Sequence, residues 1–261
     1  MATPRIQSVD RAFSLLNCLV DAGGIGSLPV MASRCGLSVA TTHRLLTTLE
    51  DVGAVIHIAP GKYRIGTALF RLTNATSIDN IYAAAAEPSL RRLCKSACTA
   101  AHLGMLDQDY MVTYLAKASR RAAFPPTVIG SKLEAYCSGL GKVLLAALPV
   151  DQQRRYLDEG PFIALTAHTL TEPDALLKEL QVVAKRGYAV DDCELFDDLR
   201  CVAVPIKDAD GRVVAALSAS SPAGQMPTKQ LPELAAELTR HAAEISERLY
   251  PLSGPNRITR Q

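Results

Sequence analysis

The sequence predicts an α+β protein in two parts: an N-terminal winged helix-turn-helix and a larger unit with a largely antiparallel sheet. Three observations carry this. Residues 28–66 read as helix, tight turn, helix and then a hairpin with a basic tip. Beyond about residue 99, short apolar strands come in pairs joined by polar turns, Asp107-Gln108-Asp109 and Asp208-Ala209-Asp210-Gly211. Amphipathic helices interleave with those pairs, the last spanning about 228–249.

The elements follow in order. Residues 8–22 place Val9, Ala12, Phe13, Leu16, Leu19 and Val20 at helical spacing, with Ser8 as N-cap and Gly23-Gly24 as the stop. A short helix over 28–35 ends at Gly36, since a C′ position favours a residue that tolerates positive φ. Ser38 caps the next helix, 39–52, and Gly53 ends it. Strands at 54–58 and 62–66 flank Pro60-Gly61 and form the wing. A loosely patterned helix over 67–77 suits a linker. The second unit, 78–250, opens with a helix at 78–96 and strands at 99–106 and 110–117. Helices follow at 138–147, 151–158 and 172–186, then strands at 188–193, 200–207 and 212–220. The tail, 251–261, is expected to be disordered.

Composition narrows the class. A hydrophobic fraction of 48% in 261 residues supports a substantial core, yet no apolar run is long enough for a membrane span. The first residues lack a signal-peptide core, and seven Cys form no regular framework, so reduced thiols and a cytoplasmic location are expected. Residues 1–77 carry seven basic and four acidic side chains, so the modest positive excess sits where phosphate would be met.

On the 39–52 helix, Leu45, Leu46, Leu49 and Val52 form an apolar stripe beside Thr42. The opposite face presents Ser38, Thr41, His43, Arg44 and Thr47, which is what a recognition helix offers to base edges. Arg44 can donate twice to guanine, and the threonines can bond bases or phosphates. Lys62 and Arg64 on the wing can reach the backbone or minor groove.

The chain resembles the IclR-type transcriptional regulators over about 7–250. The segments that carry the resemblance are SVDRAFSLL, GLSVATTHRLLTTLEDVGAV and KYRIG in the first unit, with YCSGLGKVLLAALP, RGYAVDDCELFDDLRCVAVPI and DGRVVAALSAS in the second. The resemblance implies a linker helix and a GAF-like effector domain. It also implies homodimers, often dimers of dimers, on palindromic operators in double-stranded DNA. The effectors it implies are small organic acids, many of them aromatic acids or catabolic intermediates. Carried over by position, the effector site comprises Leu133, Gly139, Leu140, Asp191, Cys201, Ser218 and Ser220. That set suits a carboxylate, because a helix start near Gly139 offers N–H donors and Ser218 and Ser220 share one sheet face. The chain departs from the family pattern at Val39-Ala40, where a Lys is usual, and at Cys98-Thr99-Ala100-Ala101-His102-Leu103-Gly104.

Other readings carry less. Gly139-Leu140-Gly141-Lys142 is not a phosphate loop, because Tyr136 and Val143 stand where that motif needs Gly and Ser or Thr. Cys94, Cys98 and His102 recur every four residues, but residues 99–106 read as strand, which breaks the shared face. Cys201 with Asp191 suggests a nucleophile only if a base lies near, and neither His168 nor His241 sits in a recognisable motif. The acids from Asp191 to Asp198 match no calcium loop, and Arg120 and Arg121 read as solvated charges. The expectation is a ligand-responsive DNA-binding regulator with no catalytic set, metal or cofactor. The competing classes are an enzyme using Cys201 and an architectural DNA-binding oligomer.

Overall fold

The computed structural model describes residues 6–74, 77–121 and 124–251, with side chains 73 and 74 excepted. The expected tail falls almost wholly outside the described residues. Contacts divide the chain into a unit ending at Ile78 and a unit beginning at Asp79.

The first unit contains α1 (Gln7–Asp21), β1 (Ile25–Ser27), α2 (Leu28–Arg34), α3 (Val39–Asp51), β2 (Val55–Ala59), β3 (Lys62–Ile65) and α4 (Thr67–Asn74). Its core joins Leu15, Leu16 and Leu19 of α1 to Met31, Leu46, Leu49, Val55 and Tyr63. Gly23, Gly36, Gly53 and Gly61 all take positive φ, which is where the chain turns between elements.

Three expectations are corrected here. Ser8 lies inside α1; the N-cap is Ile6, with no side-chain cap bond. Val9, Phe13 and Val20 are exposed, because α1 buries the face centred on Leu15 and Leu19 instead. Val52 is also exposed, at the C-cap of α3 rather than in its apolar stripe. The wing holds a third strand as well. β1 pairs with β3, giving the order β1-β3-β2. Three residues are too few to show a period in sequence.

The second unit contains α5 (Ile78–Ser96), β4 (Ala100–Leu106), β5 (Met111–Ser119), β6 (Lys132–Glu134), α6 (Gly139–Ala146), α7 (Val150–Asp158), α8 (Pro173–Arg186), β7 (Ala189–Asp192), β8 (Leu199–Lys207), β9 (Val213–Pro222) and α9 (Leu231–Leu249). The strands form one antiparallel sheet in the order β6-β5-β4-β9-β8-β7.

Strand alternation sorts the side chains between two layers. Leu103, Val202, Val204, Ile206, Leu217 and Ala219 face one way and pack with Leu90 and Leu93 of α5 and with Leu234, Leu238 and Ile245 of α9. Ala203 and Ala216 pack on the other side with Leu140, Val143 and Leu144 of α6 and Leu176 and Leu180 of α8. The α5–α9 face carries the larger aliphatics Leu103, Val202, Val204, Ile206 and Leu217. The α6 face carries small or polar residues at His102, Gly104, Cys201, Ala203, Ala216, Ser218 and Ser220. Small side chains there leave space under the start of α6, and that space is the cavity described next.

Candidate functional site

The candidate residues form two sets, one in each unit. In the first unit, Ser38 closes the N-terminus of α3: its Oγ accepts from the Thr41 N–H at 3.1 Å. Its hydroxyl also pairs with Thr41 Oγ1 at 2.9 Å. One free N–H of the helix start is thereby satisfied, and the positive end of the helix dipole is left facing outward. Thr42 is fully buried beneath, while His43, Arg44 and Thr47 are exposed. Thr47 Oγ1 donates to the His43 carbonyl at 3.0 Å, so its proton is occupied and its oxygen and methyl remain for a partner. Among the described residues Arg44 makes no ion pair. On the wing, Lys62 and Arg64 are exposed on either side of the buried Tyr63, so strand alternation puts both charges on one face.

The second set lies under α6. Gly139, Leu140, Asp191, Cys201, Ser218 and Ser220 line a single pocket with about 20 Å³ of free space. That is room for about one water molecule, so a small organic acid enters only as the pocket widens. Sheet register explains how residues so far apart in sequence meet. Asp191 stands opposite Cys201, and Cys201 opposite Ser220, so three neighbouring strands carry them in one row. The next row runs from His102 to Ser218 to Ala203. Above the rows sits the start of α6. Ser138 caps it by accepting from Gly141 N–H at 3.1 Å. Gly139 and Leu140 occupy the first helical positions, whose N–H groups have no acceptor within the helix. A Cβ on Gly139 would stand 3.2 Å from Cys201 Sγ, so glycine is what lets the helix backbone approach the sheet.

Leu133 is elsewhere. It lies on β6 opposite Val112, packed among the apolar residues of the α6–α8 layer, and it does not line the cavity. Position along a family pattern could not separate it from the cavity wall, because β6 is a three-residue edge strand. Sequence reasoning also passed over His102, Tyr114, Thr127, Ser138, Phe196 and others that do line it. Cys94, Cys98 and His102 do not form a metal site. Cys98 lies beyond the end of α5 and His102 on β4, and among the described residues no cluster suits a metal.

The electrostatics of the cavity are set by burial. Asp191 is 1% exposed, and desolvation pushes its carboxyl up to about 7. Its Oδ1 accepts from the N–H groups of Glu194 and Leu195 at 2.8 and 3.3 Å, which fixes its orientation. Lys142 Nζ pairs with Glu194 and also donates to the Val190 carbonyl at 3.2 Å. Burial pushes the Cys201 thiol up to about 12, with Asp191 adding to the effect. A thiol held that high is not a thiolate at neutral pH, so the cavity does not activate Cys201 as a nucleophile. Burial, and then Lys117, brings His102 down to about 3, so its imidazole is neutral. The result is a largely buried, uncharged-to-weakly-acidic pocket with helix N–H groups at one side and hydroxyls at the other.

Two family models match the chain in succession. The IclR helix-turn-helix domain covers residues 8–56, and the bacterial transcriptional regulator IclR C-terminal domain covers 74–247. The HTH-type transcriptional regulator BhcR of Paracoccus denitrificans is 33% identical over 94% of this chain and 88% of its own. The transcriptional repressor IclR of Escherichia coli is 32% identical over 94% and 90%. The crystal structure of an IclR homolog from Microbacterium hydrocarbonoxydans, complexed with 4-hydroxybenzoate, shares the fold at a TM-score of 0.61, with 24% identity over 93% of this chain and 98% of that one. With a helix-turn-helix built on Ser38-capped α3 and an antiparallel domain enclosing a cavity, matched along both parts, the chain belongs to the IclR family of bacterial transcriptional regulators.

Proposed function

We propose that the protein is a ligand-responsive regulator that senses a small organic acid and controls a nearby metabolic operon. The observation that carries this reading is the convergence of Gly139, Leu140, Asp191, Cys201, Ser218 and Ser220 on one pocket. The helix start supplies N–H donors and positive potential for a carboxylate. Ser218 and Ser220 supply hydroxyls from the adjacent strand. Asp191, raised to about 7, is available in its protonated form to donate to the acid rather than repel it.

Residues 1–66 bind double-stranded DNA, with 67–77 as linker and 78–250 as effector domain of GAF-like type. Ser38, Thr41, His43, Arg44 and Thr47 face the major groove, and Lys62 and Arg64 the backbone or minor groove. A single unit has little basic excess, so a palindromic operator read by a homodimer, or a dimer of dimers, supplies the affinity. The effector acts by binding one arrangement of the paired DNA-binding units better than the other. The site of action is the cytoplasm, where the operator is.

A thermal-shift panel of catabolic acids followed by gel shifts on the protein's own promoter tests the reading. One acid is expected to raise the melting temperature and change operator affinity. Ser218→Ala with Ser220→Ala is expected to remove that response and leave DNA binding in place. A double variant that keeps a full ligand-induced melting shift would refute the assignment of the cavity.

A further inference from the structure

His102 enters the cavity from the centre of the sheet, beside the residues expected from the family pattern. It is 2% exposed, and it stands directly opposite Ser218 in the β4–β9 register. Residues so opposed have their Cβ atoms about 4.5–5.5 Å apart. Its Nε2 lies 2.9 Å from Thr127 Oγ1. The Thr127 hydroxyl has its own acceptor in the Pro125 carbonyl at 3.4 Å. Sending that proton to Pro125 leaves the Thr127 oxygen to accept from Nε2–H, the tautomer that carries its lone pair on Nδ1. Lys117 fixes the loop that makes this arrangement: its Nζ donates to the carbonyls of Pro125 at 2.7 Å and Thr127 at 3.1 Å. Among the described residues Nδ1 has no hydrogen-bond partner.

A neutral acceptor in a largely buried pocket discriminates by chemistry. It takes a hydroxyl or N–H donor, and it gains nothing from a bare hydrocarbon edge or a second carboxylate. An analogue without the donor leaves the ring nitrogen desolvated and unpaired, which lowers affinity. We propose that His102 is a specificity-determining residue: it selects small organic acids that also carry a hydroxyl group, which donates to Nδ1 while the carboxylate sits at the start of α6. This rests on the reading of the cavity as an effector site.

The test uses two matched pairs, 4-hydroxybenzoate against benzoate and lactate against propionate, titrated calorimetrically into the full-length protein. The wild type is expected to bind the hydroxylated member of one pair at least about tenfold more tightly than its partner. His102→Phe keeps the ring volume and removes the nitrogens, and is expected to bring that ratio below about threefold by removing the acceptor. Thr127→Val, which removes the partner that orients the ring, is expected to reduce the ratio too, and serves if His102→Phe does not fold. Equal affinity of the wild type for both members of each pair, or a ratio undiminished in both variants, overturns the inference and leaves the acid-sensing reading standing. If neither these four nor any acid of the thermal-shift panel binds the wild type, the acid-sensing reading falls with it.

Discussion

Lys142 on α6 and Glu194 in the β7–β8 connection form an ion pair that is almost wholly enclosed, with side chains 1% and 8% exposed. The second carboxylate oxygen of Glu194 is buried without a hydrogen-bond partner among the described residues. Burial pushes the Glu194 carboxyl up and Lys142 draws it back. The pair pins the helix start that roofs the cavity to the loop that orients Asp191. Removing one partner strands the other charge in a dry site, at a cost of about 3–5 kcal/mol. Lys142→Met is therefore expected to be strongly destabilised in urea denaturation. Lys142→Met with Glu194→Gln is expected to recover part of that loss. A single variant as stable as wild type would show that the pair does not hold the roof.

Asp191 and His102 tie stability to pH in opposite senses. In the fold Asp191 is raised to about 7, against 3.8 ordinarily. From about pH 4 to pH 7 the folded protein keeps a proton that the unfolded chain has released, so this group makes stability fall as pH rises. Glu194 beside it acts in the same direction, and Lys142 opposes it. His102 is lowered from 6.5 to about 3. There the unfolded chain takes up a proton that the fold refuses, so stability falls as pH drops through that interval. Asp191→Asn retains an oxygen for the Glu194 and Leu195 N–H groups and removes the first slope. Its urea midpoint is expected to rise at pH 8 relative to pH 5 when set against wild type. Parallel pH profiles for the two proteins would exclude Asp191 as the titrating group.

Much of this architecture is legible in the sequence because its signals are local. Ser38 sits where a side-chain oxygen must meet a helix N–H, and it does so. The helix expected over 78–96 matches α5 at both ends. What eludes the sequence depends on pairing. β1 and β6 have three residues each and are defined only by the strands they join. Val9, Phe13 and Val20 share a helical period with the core, but which of two adjacent stripes is buried depends on where α3 packs. His102 becomes a cavity residue only through its register with Ser218, which lies 116 positions away and is set by no local motif.

Gly139 and Gly141 separate the two roles of the α6 start. A Cβ on Gly141 would meet the Ala135 carbonyl oxygen at 2.2 Å, which backbone must move to relieve. Gly141→Ala is expected to cost about 1–3 kcal/mol or more of stability. A Cβ on Gly139 would meet Cys201 Sγ at 3.2 Å and Ala203 Cβ at 3.3 Å, tight contacts that take up space in the cavity. Gly139→Ala is expected to fold with a smaller loss and to bind the acid found by thermal shift at least about tenfold more weakly, roughly the scale of a lost methylene's room in a pocket. Equal effects of the two substitutions on denaturation and on ligand titration would argue that neither glycine is there for the ligand.

Arg44 is the exposed cation on the outward face of α3, one turn and a half past the Ser38 cap. If its guanidinium reads a guanine, Arg44→Ala costs about 1–3 kcal/mol of operator binding and relaxes selectivity at one base pair. If it holds a phosphate, the loss is spread over all sequences and the salt dependence weakens by about one unit of slope per site. Lys62→Ala on the wing is expected to show the second pattern. Both variants leave the buried core of Leu46 and Leu49 untouched, so melting temperature is expected to stay within error of wild type. Fluorescence anisotropy on the operator and on a scrambled duplex, each at two salt concentrations, separates the two outcomes. An Arg44→Ala protein with unchanged affinity for both duplexes would remove α3 from the DNA interface.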